Sequence, residues 1–143
     1  MEYTDLQNAK TLLQEGEHTC VLCRGQEIYT TRERGVKPLV RWLTEETDLR
    51  GFSAADKVVG KATAYLYCLL GVKAVHSLVM SGAAAQVLEE NGISASQDKL
   101  VENIINRQGT GICPFEEAVW EIQNLQEALT AIRNKMVQMH ISL

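Results

Sequence analysis

The spacing of apolar and polar positions divides the beginning of the chain into short helices and strands. Apolar residues at helical spacing predict a first helix over Thr4–Glu15. Two short strands are predicted next, Thr19–Cys23 and Glu27–Thr31, joined by a turn over Arg24–Gln26. A second helix is predicted over Val36–Thr44, with a proline in its first turn.

The middle of the chain carries the stretch Ser53–Leu70, in which polar residues recur every three or four positions. This spacing predicts one long helix with a polar stripe along its first half. No charge remains from Ala64 to Leu70, so we expect protein to surround the second half of the helix. The stripe consists of Ser53, Asp56, Lys57, Gly60 and Lys61.

The pattern after the central stretch is typical of an α/β unit. Ala74–Met80 is a continuous apolar run with β-branched residues, which predicts an interior strand, and Ala83–Glu90 is predicted to be a helix. Further strands are predicted at Ile93–Ser96 and Val101–Ile105. A helix over Asp98–Asn106 is the alternative for the second of these segments.

The last part of the chain contains two helix starts. One helix is predicted to begin at Cys113-Pro114, and Asn124 is predicted to cap a last helix over Leu125–Val137. Strands alternating with helices predict an α/β fold with a mixed sheet of about five strands and helices on both faces. The length of 143 residues is most simply one domain over 1–143.

Composition narrows the class of protein. The net charge of −4 argues against non-specific binding to nucleic acid or to a membrane surface, so neither is expected as a partner. The sequence shows no signal peptide and no apolar run long enough to cross a bilayer, which predicts a cytoplasmic protein. The four cysteines are then expected to be thiols.

The polar stripe is the first candidate site. If Asp56 lies in the first turn of a helix, it is placed to act as an acid, a base or a covalent acceptor, and Lys57 and Lys61 to hold an anionic ligand with Ser53. Gly60 leaves room for close approach by a ligand. The alternative is that Ser53 and Asp56 form a capping box and that the lysines are solvated.

The second candidate site is the glycine loop and the helix start that follows it. Gly109, Thr110 and Gly111 lead to a helix start that presents backbone N–H groups to an anion, with Glu116 in its first turn. Cys113 stands at the cap, where a thiolate is stabilised. The alternative is a simple turn, a buried Cys113 and a capping Glu116.

Other potential ligands carry weaker signals. Cys20 and Cys23 are spaced as in a C-x-x-C motif, but on a strand residues three apart point to opposite faces, so zinc binding is not expected there. His76 lies in an apolar strand and is expected to be a hydrogen-bonded core histidine. No metal and no cofactor are predicted.

Two stretches resemble a known family. Gly51–Ala64 (GFSAADKVVGKATA) and Ile105–Glu117 (INRQGTGICPFEE) are similar to a prokaryotic family of unknown function that is grouped with the cytidine deaminase-like superfamily. The resemblance extends from the predicted hairpin to about Glu121 and implies a three-layer α/β/α sandwich. It also implies a pocket where two helix N-termini meet.

The residues that hold catalytic zinc in deaminases are missing from the matching positions. Deaminases carry H-x-E or C-x-E at one helix start and P-C-x-x-C at the other. Here the matching positions are Asp56-Lys57-Val58 and Cys113-Pro114-Phe115-Glu116, which offer one thiol. A zinc hydrolase that uses Asp56, Cys113 and Glu116 as ligands is kept as a minor alternative.

The sequence leaves two main hypotheses. The first is a metal-free pocket for a nucleotide or another phosphorylated small molecule, with Cys113 as nucleophile and Asp56 as base if the protein is a hydrolase or transferase. The second is a non-catalytic sensor or interaction domain. In that case the apolar side chains of the last two helices would form a homo-oligomer surface, with packing on the sheet as the alternative. These are Val119, Ile122, Leu125, Leu129, Ile132 and Met136.

Overall fold

A computed structural model describes residues 4–106 and 108–143. Within this part of the chain the helices are α1 (Asp5–Glu15), α2 (Lys37–Thr44), α3 (Lys61–Leu70), α4 (Gly82–Glu90), α5 (Pro114–Ala118) and α6 (Leu125–Gln138). The strands are β1 (Cys20–Arg24), β2 (Glu27–Thr31), β3 (Ser53–Val59), β4 (Ala74–Ser81) and β5 (Ser94–Val101).

The strands form one five-stranded mixed sheet in the order β2-β1-β3-β4-β5. The hairpin partner β2 and the central strand β3 both run antiparallel to β1. The strands β3, β4 and β5 are parallel, and helices α3 and α4 connect them. The carboxyl ends of these three strands therefore lie at one edge of the sheet, where α3 and α4 begin.

Helices cover both faces of the sheet, as the sequence predicts. Along β1, Val21 and Cys23 pack against α1 in a small core, whereas Leu22 faces the opposite side. The opposite face carries the main core, to which α2, α3, α4, α5 and α6 all contribute. Helix α1 packs on β1 and β3 and reaches β4, so β5 lies beyond it at the edge of the sheet.

The predicted long helix over Ser53–Leu70 is wrong. Its first half is the parallel strand β3, Gly60 is the N-cap residue, and only Lys61–Leu70 is helical. The polar stripe and the Ser53–Asp56 capping box therefore do not exist. The strand forms because β3 is the central strand of the sheet and pairs with β1 and β4. Its first four residues are buried, and a buried stretch of strand does not need alternating polarity.

The segment after α4 also differs from its prediction. One strand, Ser94–Val101, replaces the two predicted strands, and the alternative helix over Asp98–Asn106 is wrong. Most of β5 is polar because it is an edge strand, and pairing with β4 makes it a strand.

The predicted oligomer surface packs on the protein's own core. Val119, Ile132 and Met136 are buried, and the other three side chains of the set lie partly buried against the main core. Helix α6 packs mainly against α3 and α5, so the chain's own core covers these side chains.

Candidate functional site

A cleft opens at the edge of the sheet where the parallel strands end. Strand β3 runs through Gly60 into α3, and β4 ends at Ser81, the N-cap residue of α4. Ligand sites of open α/β sheets lie at this edge. The cleft measures about 280 Å³. Its lining residues are Lys61, Ser81, Ala83, Glu102, Asn103, Glu116 and Trp120.

Glu116 is the buried carboxylate of the cleft, with 7 % of its surface exposed. Its Oε1 accepts a hydrogen bond of 2.6 Å from the backbone N–H of Lys61, so it caps α3 from a distant part of the chain. Burial raises the pKa of Glu116, whereas the N–H and the charge of Lys61 act in the opposite direction. The carboxylate thus occupies the anion-binding position at the start of α3.

Gly60 makes this contact feasible. A Cβ atom built on Gly60 would overlap the Glu116 carboxylate and would lie 3.0 Å from Ile104 Cγ1. The glycine is required for close approach rather than for an unusual backbone angle, since its φ of −99° suits any residue.

Lys61 and Trp120 form one wall of the cleft. The Lys61 ammonium donates a 3.0 Å hydrogen bond to the backbone carbonyl of Trp120 and lies 5.8 Å from the centre of the Tyr65 ring. The indole of Trp120 is unusually open for such a large apolar group, with 54 % of the residue exposed. A flat aromatic surface therefore stands beside a cation and a buried carboxylate.

Ser81 contributes from the opposite side of the cleft. Its hydroxyl oxygen accepts from the N–H of Ala84 at 3.1 Å and caps α4. Ala83, in the first turn of α4, lines the cleft together with Ser81, so the start of this helix lies at the cleft.

Asp56 does not line the cleft. It lies in the middle of β3, where its Oδ2 accepts a 2.6 Å hydrogen bond from the Tyr67 hydroxyl. The same hydroxyl oxygen lies 3.0 Å from the Sγ of Cys20, and the N–H of Val58 donates to Oδ1 at 3.4 Å. We call Cys20, Asp56 and Tyr67 the Asp56 network.

Burial dominates the electrostatics of the Asp56 network. It raises the pKa of Asp56 to about 6, against the lowering effect of the hydrogen bonds from Tyr67 and the backbone. The pKa values of Cys20 and Tyr67 are raised as well, first by burial and then by the Asp56 charge. The Asp56 carboxylate is thus buried beneath Tyr67, away from the residues that line the cleft.

The other residues predicted on the polar stripe are dispersed. Ser53 is buried in β3 between Cys23 and Ala74, and Lys57 is exposed on the same strand. Lys61 is the member of the stripe that reaches the cleft.

The glycine loop forms an exposed turn that does not line the cleft. Asn106 closes it, because its Oδ1 accepts from the N–H of Thr110 and its backbone carbonyl accepts from the N–H of Gly109. The N–H of Asn106 donates a 2.8 Å hydrogen bond to the carbonyl of Gly111. The turn that the sequence offered as the alternative is therefore found.

Cys113 and the helix after it are placed by packing. Helix α5 begins at Pro114 as predicted, with Cys113 as N-cap residue, but it has five residues only. Cys113 is half-buried against the main core, and its N–H donates to the carbonyl of Ile104. Neither Asp56 nor Cys113 lines the cleft, so the predicted pairing of these two across a pocket is not found.

Sequence reasoning missed Ser81, Glu102, Asn103 and Trp120 as cleft residues. The junction Ser81-Gly82, where β4 passes into α4, could have indicated a cleft residue. It matches the junction Val59-Gly60-Lys61, where the neighbouring parallel strand β3 passes into α3. Trp120 carried no such signal, since its place depends on a contact with Lys61 across 59 residues of chain.

Two further observations concern the residues that the structure describes. They contain no group of three or more His, Cys, Asp or Glu side chains close enough to hold a metal ion, so Asp56, Cys113 and Glu116 are not a ligand set. Among the same residues, no helix is both long and apolar enough to cross a membrane.

A broader depression of about 380 Å³ lies on the surface of α6, lined by Gln126, Glu127, Thr130, Ala131 and Asn134. All five residues belong to one helix, so it brings together no groups from different elements. The cleft at the sheet edge is the stronger candidate.

Comparison with known proteins places the chain in a family. The sequence model of the DUF1893 family (TM1506), a domain of unknown function, matches residues 8–136. The chain belongs to this family. Its structure is similar to the crystal structure of a DUF1893 family protein, TM1506, from Thermotoga maritima, with a TM-score of 0.85 and 27 % sequence identity. That match covers 94 % of this chain and 92 % of the other. No curated protein matches the chain.

Proposed function

We propose that this protein binds a nucleotide-like small molecule in the cleft at the carboxyl edge of the sheet. The observation that carries the proposal is Glu116, a buried carboxylate that accepts from the Lys61 N–H and lines the same cleft as the exposed Trp120. Burying a carboxylate is costly, and such groups are concentrated in functional sites. The sequence resembles a family that is grouped with the cytidine deaminase-like superfamily, and this resemblance favours the same class of ligand. Membership of that superfamily is therefore part of the proposal.

The groups of the cleft suit a base and an anion together. The Trp120 ring offers a stacking surface, and Glu116 and Asn103 offer acceptors to the amino groups of a heterocycle. The Lys61 ammonium has three hydrogens and donates one of them to Trp120, so it is able to hold an anionic group as well. The start of α4 lies at the cleft and favours the anion further.

If the protein catalyses a reaction, Glu116 is the general base or acid of a metal-free hydrolase or transferase. Burial raises the pKa of Glu116, which favours a role in proton transfer, whereas Asp56 is sealed beneath Tyr67. The proposal includes a cytoplasmic location. The four free cysteines are consistent with it, because thiols stay reduced in that compartment.

The first test is native mass spectrometry of the freshly purified protein, followed by titration with CMP and AMP monitored by tryptophan fluorescence. We expect a retained small molecule or a saturable fluorescence change. Glu116→Gln should weaken binding about tenfold or more, the cost of losing one charge-assisted hydrogen bond. The matched control is Glu117→Gln, because Glu117 is the exposed neighbour of Glu116 on the same helix.

Three outcomes would contradict the proposal. They are a bare polypeptide mass with no response to either nucleotide, equal binding by the Glu116→Gln and wild-type proteins, and equal losses in the two variants. Because Gln keeps an oxygen that accepts from Lys61, a folded Glu116→Gln protein is expected, and circular dichroism checks it.

A second candidate function, an oligomeric interaction domain, rests on the exposed apolar residues at the end of the chain. Val137 is 73 % exposed and Leu143 is 53 % exposed. Sedimentation analysis tests it: a dimer that dissociates in Val137→Asp supports this function, and a monomer at all concentrations rejects it.

A further inference from the structure

His76, Ser96 and Asp98 form a hydrogen-bonded row on the face of the sheet that carries α1. His76 pairs with Ala55 of β3, which packs against α1, and directly opposes Ser96 on β5. Asp98 is two residues further along β5 and therefore points to the same face. The Nδ1 of His76 lies 2.8 Å from Ser96 Oγ, and its Nε2 lies 3.1 Å from Asp98 Oδ1.

These two contacts determine the hydrogen positions on the imidazole. An ionised Asp98 only accepts hydrogen bonds, so His76 Nε2 must carry a hydrogen and donate it. Nδ1 of the neutral ring is then an acceptor, and the Ser96 hydroxyl must donate to it. The same polarity connects serine, histidine and aspartate in hydrolytic triads, although here the two ring nitrogens exchange their roles.

The surroundings of His76 disfavour the charged form of the imidazole. Burial lowers the pKa of His76, and the charge of Lys10 on α1 adds to this effect, while Asp98 acts in the opposite direction. A neutral His76 is able to accept the Ser96 proton. His76 itself is 5 % exposed, as expected of a core histidine, so packing fixes its ring.

Solvent reaches the other two members of the row. Ser96 is partly exposed, and 61 % of the Asp98 side chain is exposed. Strand β5 is the edge of the sheet, beyond the part that α1 covers, so a small molecule can approach Ser96 from the open side.

We propose that Ser96 is a nucleophile activated by His76 and oriented through Asp98, and that it accepts acyl groups from small esters. The Ser96 oxygen attacks the ester carbonyl while its proton passes to His76 Nδ1. The tetrahedral intermediate expels the alcohol, which takes the proton from His76, and an acyl-serine remains. Water then attacks the acyl-serine, His76 takes its proton and returns it to Ser96, and the acid is released. This site is separate from the cleft and does not depend on its function.

The test is the release of p-nitrophenolate from p-nitrophenyl acetate by the full chain and three variants. Ser96→Ala removes the nucleophile, and Asp98→Asn alters an exposed side chain while it keeps the shape of the row. Ser94→Ala is the matched control, since Ser94 is exposed on the same face of the same strand two residues earlier. Circular dichroism verifies folding, and peptide mapping locates any acetyl group.

We expect wild type and Ser94→Ala to release p-nitrophenolate at the same rate. Ser96→Ala should release it about tenfold or more slowly, since general base catalysis typically contributes at least that much to a rate. Asp98→Asn should be slowed by a similar factor, because the variant loses the negative charge that stabilises the imidazolium formed when His76 takes the proton, and an amide that turns its NH2 to the ring favours the wrong tautomer. Equal rates for wild type and Ser96→Ala would overturn the proposal, even if lysines are acetylated. An unchanged rate in Asp98→Asn would overturn the role of the row.

Discussion

At the scale of single residues, Asp56 is the group whose ionisation the fold resists. Its pKa is raised from 3.8 to about 6 in the folded protein. Between these two pH values the carboxyl is protonated in the folded state and ionised in the unfolded chain. For an acid with a raised pKa, stability is complete below the unfolded value and is lost as pH rises through the folded value. Asp56 therefore destabilises the folded state above about pH 6.

We predict that Asp56→Asn removes this pH dependence. A pKa displacement of about two units corresponds to about 3 kcal/mol. The stability of wild type relative to Asp56→Asn should thus fall by about that amount between about pH 4 and pH 6. Urea unfolding at several pH values measures the difference. Acids with lowered pKa values, such as Glu33, are present in both proteins, so their contributions to the pH dependence cancel in the comparison.

Tyr67→Phe provides an internal check of this prediction. The hydrogen bond from Tyr67 lowers the pKa of Asp56, so its removal should move the loss of stability to higher pH. A parallel pH dependence in wild type and Asp56→Asn would show that the carboxyl is not the titrating group.

Gly60 is the second residue with a specific structural role. We predict that Gly60→Ala displaces the Glu116 carboxylate from the Lys61 N–H and costs about 1–3 kcal/mol, the value of a hydrogen bond to a charged group. Chemical denaturation measures the loss. Gly82→Ala is the control, since nothing lies within 4 Å of its added methyl group.

A double-mutant cycle distinguishes this cause from general strain. In a Glu116→Ala background, the side chain that would clash is gone, so Gly60→Ala should cost less than it does in wild type. Equal costs in the two backgrounds would place the damage in the backbone or at Ile104 instead.

At the scale of elements, local capping signals determine where several helices begin. Asn124 accepts hydrogen bonds from the N–H groups of Gln126 and Glu127 at 2.9 and 3.1 Å and starts α6. Helix α6 then buries Ile132 and Met136 in the main core. The start of this helix was predictable from the sequence because both partners of the cap lie within three residues of Asn124.

We predict that Asn124→Ala destabilises the protein by about 1 kcal/mol, since it leaves helix N–H groups without an acceptor. Thermal or urea unfolding measures the change. Asn134→Ala in the exposed middle of α6 should be neutral or slightly stabilising, because alanine favours a helix interior. Equal losses at the two positions would contradict the capping role.

Strands were predictable where turns or continuous apolar runs marked them. The bounds of β2 are those predicted, and β4 differs from its prediction by one residue. Strand β3 was missed and β5 was predicted only at its two ends, because backbone partners on neighbouring strands make these segments strands. In β3 the polar residues recur at helical spacing by coincidence, and Asp56 and Lys57 gave the misleading signal.

At the scale of the whole molecule, one main core connects the sheet to five of the helices. It includes Leu22 of β1, Leu66 of α3 and Ile132 of α6, which come from widely separated parts of the sequence. Such a core unfolds as a unit. The prediction of one domain over 1–143 is therefore open to a direct test.

We predict a single cooperative unfolding transition in which far-UV circular dichroism and tryptophan fluorescence coincide. The two tryptophans report on different regions, since Trp42 packs against the main core and Trp120 stands at the cleft. Ile132→Ala should lower the stability by about 2–5 kcal/mol and shift both signals together. Transitions that separate in either protein would show that the chain contains more than one folding unit.

The sequence by itself determined the features whose partners are close along the chain. The hairpin, the apolar strand β4, the proline start of α5 and the capped start of α6 all depend on residues a few positions apart. The tertiary structure decided which chemical groups meet. Glu116 reaches Lys61 across 55 residues, and Tyr67 seals Asp56 only because α3 folds back over β3. Hydrogen bonds and burial of this kind exist only after the strands have paired, and no local pattern of polar and apolar residues encodes them.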